Sequence, residues 1–254
     1  MGFNIFRKTG ARERALGQRL PPGQYVTDKW PVLHYGSVPR FDPASWDFRV
    51  WGLVEQPLRF SYDEFLALPH RGFTADIHCV TRWSMFDSSW EGVSVQDVIR
   101  RAQPKPEAKF VRFETFHRPE QAPAMRRLAQ HPWPYSEGLR LDEAQHPLTL
   151  LATGIYGKPL PKQHGAPVRL VVPWKYGYKS IKSIVKIEFS DKPPTTFWET
   201  LAPEEYPFES NVNPNVPHPR WSQAFERKID TGDRVRTQHY NGYGPLVGKL
   251  YEKG

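Results

Sequence analysis

The chain has 254 residues, 39% of them hydrophobic and 24% charged, a balance that excludes a disordered chain and gives length enough for a sizeable core. Its net charge of +8 points to an anionic ligand, an acidic surface or nucleic acid. No Lys/Arg run exceeds two residues and no zinc-finger or RNP-like spacing occurs, which argues against a basic nucleic-acid-binding module, and no stretch reaches the roughly 18 apolar residues of a membrane span.

Residues 1–20 form a basic N-terminal arm carrying Arg7, Lys8, Arg12, Arg14 and Arg19. The arm has no apolar segment of secretory type. With one cysteine in the chain, a reducing cytoplasm is the expected location, or the periplasm if a leader was removed. Pro21-Pro22-Gly23 ends any helix, and residues 30–43 read as an ordered loop bearing His34.

Alternation predicts a strand over Trp46–Leu53. Ser61 and Glu64 have capping-box spacing, so a short helix runs from there to Leu68 and stops at Pro69. Phe73–Cys79 reads as a strand delivering the cysteine to a loop. A second helix spans Val95–Arg101, opened by Ser94 and Asp97, and Lys109–Thr115 is a strand. Residues 116–140 read as one long Pro- and His-rich loop, a length that is usually functional. A helical turn at Asp142–Gln145 precedes strands at Leu148–Thr153 and Val168–Val172. Ser183–Phe189 is the clearest strand, with Ser183, Val185, Ile187 and Phe189 expected on one face and Ile184, Lys186 and Glu188 on the other. Residues 191–254 read as a segment wrapped over the surface and anchored by Trp198, Phe208 and Trp221. High proline, glycine and aromatic content, at 26 Pro, 18 Gly and 14% aromatics, favours short strands and long ordered loops.

The chemistry concentrates at Asp76–Trp90, DIHCVTRWSMFDSSW, which holds the only cysteine, Cys79. A lone cysteine closes no intrachain disulfide, so it is a small core hydrophobe, a nucleophile or a metal ligand. Arg82 and Trp83 beside it suit an anion site next to a thiolate better than an apolar core. Arg82 either lines the mouth of that site or closes a structural salt bridge. A hydrolase pairing Cys79 with His78 is disfavoured, because adjacent residues on a strand point to opposite faces.

Two further stretches, His164-Gly-Ala-Pro-Val-Arg169 and Pro173-Trp-Lys-Tyr-Gly-Tyr-Lys-Ser-Ile-Lys182, complete a pattern with the Cys79 loop. Together they resemble the molybdopterin-binding domain of the sulfite oxidase family. The phrases EGLRLDEAQHPLTL, HGAPVRLVVPWKYGYKSIKSI and NVNPNVPHPRWSQAFER are closest to its sulfoxide-reducing branch, the protein-methionine-sulfoxide reductase catalytic subunits. RLPPGQ, WPVLHYGSVPRFDP and DIHCVTRWS are more similar to leaderless cytoplasmic relatives.

The resemblance implies an α+β fold, a single sulfite-oxidase-type molybdopterin-binding domain with mixed sheets, short helices and long coil segments. Its core would span 21–190 and its wrapping extension 191–254. It implies a Mo-molybdopterin cofactor with Cys79 as the protein ligand to molybdenum. One soft thiolate suffices because the pterin dithiolene supplies two more sulfurs. Residues implied to contact the cofactor are His34, Thr115, His164, Arg169, Ser180, Ile181 and Lys182. Arg82 and Trp83 are implied at the mouth, facing a small oxo substrate. Electrons would come from a separate partner, since no haem motif is present, and the protein would be a monomer. Two directions of oxygen transfer stay open: sulfoxide reduction, from the match over 110–225, and sulfite-type oxidation, from Arg82 and His164, where the sulfoxide-reducing branch has other residues.

Overall fold

A computed structural model describes residues 41–121 and 123–252. The basic arm and the loop bearing His34 lie outside the described residues. Alternating burial makes Phe48–Gly52 (β1) a strand with Phe48 and Val50 inward. It turns back through Leu58–Phe60 (β2) into a short helix, Tyr62–Leu66, whose capping box between Ser61 and Glu64 forms as its spacing predicts. The helix Val95–Ala102 likewise forms, but Ser94 makes no side-chain cap; the chain leaves through Gln103 in the left-handed region.

The strands make two mixed sheets. Phe110–Thr115 (β5), Ser136–Arg140 (β6) and Ile184–Ser190 (β10) join β1 and β2 in a five-stranded sheet of order β2-β1-β10-β5-β6. Only the β1–β10 pairing in it is parallel. The second sheet is seven-stranded and built around the hairpin of His70–Cys79 (β3) and Trp83–Ser94 (β4). Leu150–Ile155 (β7) pairs with the far half of β4 and carries Lys158–Pro159 (β8) and Arg169–Val171 (β9). Phe225–Lys228 (β11) pairs in parallel with the start of β4, and Arg234–Arg236 (β12) closes that edge. The main core, including Phe48, Phe113, Leu139, Val168, Trp174 and Ile187, lies between the sheets and the short helices.

Several expectations are corrected. The loop expected over 116–140 contains a short helix, Pro123–Arg127, and ends in β6. Four of the five β6 residues are buried, so the strand shows no period-two alternation. At Gly138 a Cβ would stand 2.6 Å from Phe208 and 2.8 Å from Pro194, so a bare backbone is what lets the later segment approach. In β10 a bulge between Ile184 and Lys186 resets the alternation, and Ile184 is buried with Ile187 and Phe189 while Val185 is half-buried. The segment from 191 onward is more than a wrap, because β11 and β12 extend the sheet that carries Cys79. Its deepest apolar anchors are Phe197, Val212 and Val247, whereas Trp198, Phe208 and Trp221 stay partly exposed.

Two buried lysines fix how the Pro173–Lys182 stretch sits. Lys175 Nζ lies 2.6 Å from Glu143 and also donates to the Glu209 carbonyl and Asn211. Lys179 Nζ lies 3.0 Å from Glu137 and donates to the Phe208 carbonyl. Removing one member of a buried pair strands the other charge, at a cost of about 3–5 kcal/mol. Lys179→Met should therefore lower stability by that order, and adding Glu137→Gln should recover part of it; equal stabilities in chemical unfolding would contradict the assignment.

Candidate active site

Cys79 ends β3, directly opposite Trp83 across the hairpin. Cys79 is half-buried and, like Tyr178 and Tyr206, packs against the small apolar cluster of Val80, Tyr176 and Val212; its Sγ lies 3.1 Å from the Thr81 hydroxyl. Burial pushes the thiol pKa up, against the smaller opposing effect of Thr81. The turn after Cys79 is held from outside: Trp221 Nε1 and Gln223 Nε2 both donate to the Val80 carbonyl, at 3.0 and 2.9 Å. Behind the thiol, on the opposite strand face, the fully buried His78 contacts Glu226 of β11.

Arg82 occupies the tight turn with φ of 68° and is exposed, its guanidinium 6.0 Å from the Trp221 ring. Among the described residues no carboxylate pairs with it, so the salt-bridge reading finds no support. Trp83 is half-buried at the start of β4.

The remaining candidates gather at a second cluster. Arg169 is buried and donates to the carbonyls of His164 at 3.0 Å and Ser180 at 2.9 Å, with Nε 3.3 Å from the Leu170 carbonyl. It thus braces two loops with much of the fork that was expected to face a phosphate. Lys182 Nζ donates to the Gln163 carbonyl at 3.1 Å, and the Thr115 hydroxyl donates to the Ser183 carbonyl at 3.0 Å. Ser180 Oγ accepts from the Val172 amide, and Ile181 is a core residue whose carbonyl accepts from Leu170. The amides of Lys179 and Ser180 close their own turn, so those two are not spare donors. Gly165, at φ +110°, lies where a Cβ would come within 2.9 Å of Lys182 and 3.1 Å of Arg169.

This cluster is electrostatically loaded with one sign. Burial brings Arg169 down to about 10. Burial, with Arg169 nearby, brings Lys182 down to about 8. Burial and the two neighbouring cations hold His164 at about 4. Each shift runs against the charged form, and an anion placed among them would relieve it.

The Pro173–Lys182 stretch joins the two clusters. Gly177 lies against the Cys79 backbone, Tyr178 packs on the same small apolar cluster as Cys79, and Lys182 lies against Gly165. Sequence reasoning missed Lys175 and Lys179 as anchors, the clamp of Trp221 and Gln223, and the His78–Glu226 pair. The carboxylate partners of the lysines lie more than 30 residues away, with no local signal to link them.

A strand-end thiol joined by one loop to a basic cradle defines a cofactor-binding oxidoreductase core. The donors fit a molybdenum pterin. A single free thiol, with no group of three or more His, Cys, Asp or Glu that could hold a metal among the described residues, suits a metal whose remaining ligands arrive with its cofactor. The cradle has the charge to take a phosphate. A family model for the oxidoreductase molybdopterin binding domain matches residues 35–198. The catalytic subunit of protein-methionine-sulfoxide reductase from Xanthomonas campestris pv. campestris is 48% identical over 239 residues, covering 90% of this chain and 72% of the relative. Its counterpart from Burkholderia mallei is 49% identical over 234 residues, covering 90% and 69%. The sulfane dehydrogenase SoxCD of Paracoccus pantotrophus shares the fold, at TM-score 0.52 and 21% identity over 61% of this chain and 41% of that one. The chain belongs to the oxidoreductase molybdopterin-binding domain family, and is a mixed-sheet enzyme with a molybdenum–molybdopterin cofactor.

The cradle carries a pH signature. Lys182 binds its proton less tightly folded than unfolded, so between about pH 8 and the ordinary lysine value near 10.5 the unfolded chain holds more protons and stability rises with pH. Relative to Lys182→Met, the cofactor-free protein should gain stability across that window in pH-dependent unfolding; a flat difference would contradict the burial of this charge.

Proposed function

We propose that the chain reduces sulfoxides by oxygen-atom transfer, taking electrons from a separate donor. The reading rests chiefly on relatives that cover 90% of the chain and are named protein-methionine-sulfoxide reductase catalytic subunits. In the net reaction the S–O bond breaks: a sulfoxide, two electrons and two protons become a thioether and water. When bound, the molybdenum supplies the two-electron, oxygen-accepting chemistry.

The chain's own residues supply placement. Cys79 would hold the metal through Sγ, and the metal would keep a thiol that burial otherwise favours protonated in its thiolate form. Arg169 and Lys182 would neutralise the anionic tail of the pterin, with Arg169 acting mainly as charge and brace and His164, held neutral by burial and the two cations, as a polar contact to it. Thr115, Ser180 and Ile181 would set the wall of that cradle through their backbone ties. His34, outside the described residues, is proposed as a further pterin contact. Arg82 would donate to the S–O oxygen, while Trp83 and Trp221 exclude water beside the sulfur substituents.

We take residues 21–190 as the core and 191–254 as an extension of the same domain, and the protein as a cytoplasmic monomer. Among the described residues no helix is long and apolar enough to cross a membrane. A second reading, oxidation of sulfite, draws on Arg82, whose cation has no carboxylate partner among the described residues, and on His164.

Two variants test the reading. Cys79→Ser should abolish turnover and lower molybdenum content; unchanged rate and metal would remove the ligand assignment. Arg82→Gln should raise KM for methionine sulfoxide roughly 10-fold, the scale of one lost charge-assisted hydrogen bond. Wild-type enzyme should reduce methionine sulfoxide and leave sulfite untouched; the reverse pattern would favour the second reading.

A further inference from the structure

The sheet edge beside Cys79 carries a feature the chemistry above does not use. Register places Cys79 opposite Trp83, Trp83 beside Arg227, and Arg227 opposite Arg234, so four neighbouring strands bring these residues into one row. Paired residues share a sheet face, and neighbouring strands lie about 4.8 Å apart. The row therefore runs from the thiol to the outermost strand on a single face, roughly 15 Å in all.

Phe225 and Arg236 form the adjacent pair on the same face. The guanidinium groups of Arg234 and Arg236 lie 4.2 and 5.7 Å from the Phe225 ring. Arg82 joins them at the turn. Arg82, Arg227, Arg234 and Arg236 are all exposed, and among the described residues none closes an ion pair. Arg227 donates to the Gly232 carbonyl, a neutral partner that leaves its charge standing. The acids nearby point elsewhere or are spent. Glu226 faces the other side against His78, and Glu205 is paired with Arg220 and His218. Asp233 sits in the turn between the strands, with no ion pair to these arginines.

Like charges directly opposed across an antiparallel pair, as at Arg227 and Arg234, destabilise a hairpin. A fold gains nothing from that arrangement unless something acidic covers it. Among the described residues the outermost strand, β12, has no pairing partner on its outer side, an edge an extended chain can take.

We propose that this face is a specificity surface for methionine sulfoxide carried in an acidic polypeptide segment, an inference that rests on the sulfoxide-reducing reading. The oxidised side chain enters beside Cys79, Arg82 and Trp83, and flanking Asp or Glu residues lie across Arg227, Arg234 and Arg236. Phe225 gives the bound chain an apolar contact between the cations. A substrate reaching the mouth from this side must cross the arginines. An electron donor has no such need, which is why the face is assigned to substrate.

The test uses holoenzyme, a reduced viologen as electron donor, and short blocked peptides with a central methionine sulfoxide flanked by Glu, Gln or Lys. Expected kcat/KM falls in the order Glu, Gln, Lys, and the Glu advantage shrinks as salt rises. Arg234→Gln with Arg236→Gln should lower kcat/KM for the Glu peptide by roughly 3- to 10-fold, mostly through KM. Blocked methionine sulfoxide alone should be unaffected by that pair, since neither arginine touches the reacting group. Fluorescence anisotropy of the labelled Glu peptide should show the same salt-dependent loss of binding, independent of turnover. Equal rates for the three peptides, a reversed order, or no effect of the double variant would overturn the proposal. Tight binding of the Glu peptide without faster reduction would also overturn it and would assign the face to an acidic protein partner. Wild-type enzyme that reduces no sulfoxide at all, blocked residue included, overturns the functional reading and the proposal with it.

Discussion

The buried contacts of Lys175 and Lys179 with Glu143 and Glu137 are the constraint on which the rest depends. Both lysines sit in the Pro173–Lys182 stretch, and both carboxylates sit on or just after β6, in the other sheet. Ionised groups are taken out of water only where partners and extra hydrogen bonds replace the solvent. Here those extras come from the carbonyls of Phe208 and Glu209, so the C-terminal segment locks in the same step. Burial still brings Lys175 down to about 8, which shows that its partners compensate the lost water only in part. The stretch so held lays Gly177 against the Cys79 backbone and Lys182 against Gly165. The thiol and the basic cradle are therefore set at a fixed separation by ion pairs that belong to neither.

The positive charge of the chain is divided by burial into two kinds. In the cradle, Arg169 and Lys182 are desolvated and repel one another beside a His164 they help to hold neutral, so their fields are little screened. On the β11–β12 face the arginines are exposed and hydrated, so their effect is long-ranged, salt-sensitive and more a matter of steering than of tight binding. The first kind suits a resident cofactor, and the second a ligand that must come and go.

How much could be read from the chain alone follows from which interactions are local. The capping box at Ser61 and Glu64, the alternation of β1 and β5 and the approach of β3 to Cys79 all depend on neighbours a few residues apart, and they were legible. The facing of β10 was misread because a bulge at Val185 leaves no mark in a hydropathy pattern. Strand β6 was missed because burial on both faces erases alternation, and β11 because its pairing partner lies far back in the chain, at Trp83 and Ser84. For the site, the residue types around Cys79 carried the signal and family likeness carried the cradle. Arg169 also donates to the carbonyls of His164, Leu170 and Ser180, a use only the folded backbone reveals.

A single protein sulfur completing the coordination of the metal is open to direct count. X-ray absorption at the molybdenum edge of purified holoenzyme should find three sulfur neighbours, two from the pterin and one from Cys79, and only two when serine replaces that cysteine. An unchanged sulfur count in the two proteins would contradict the account.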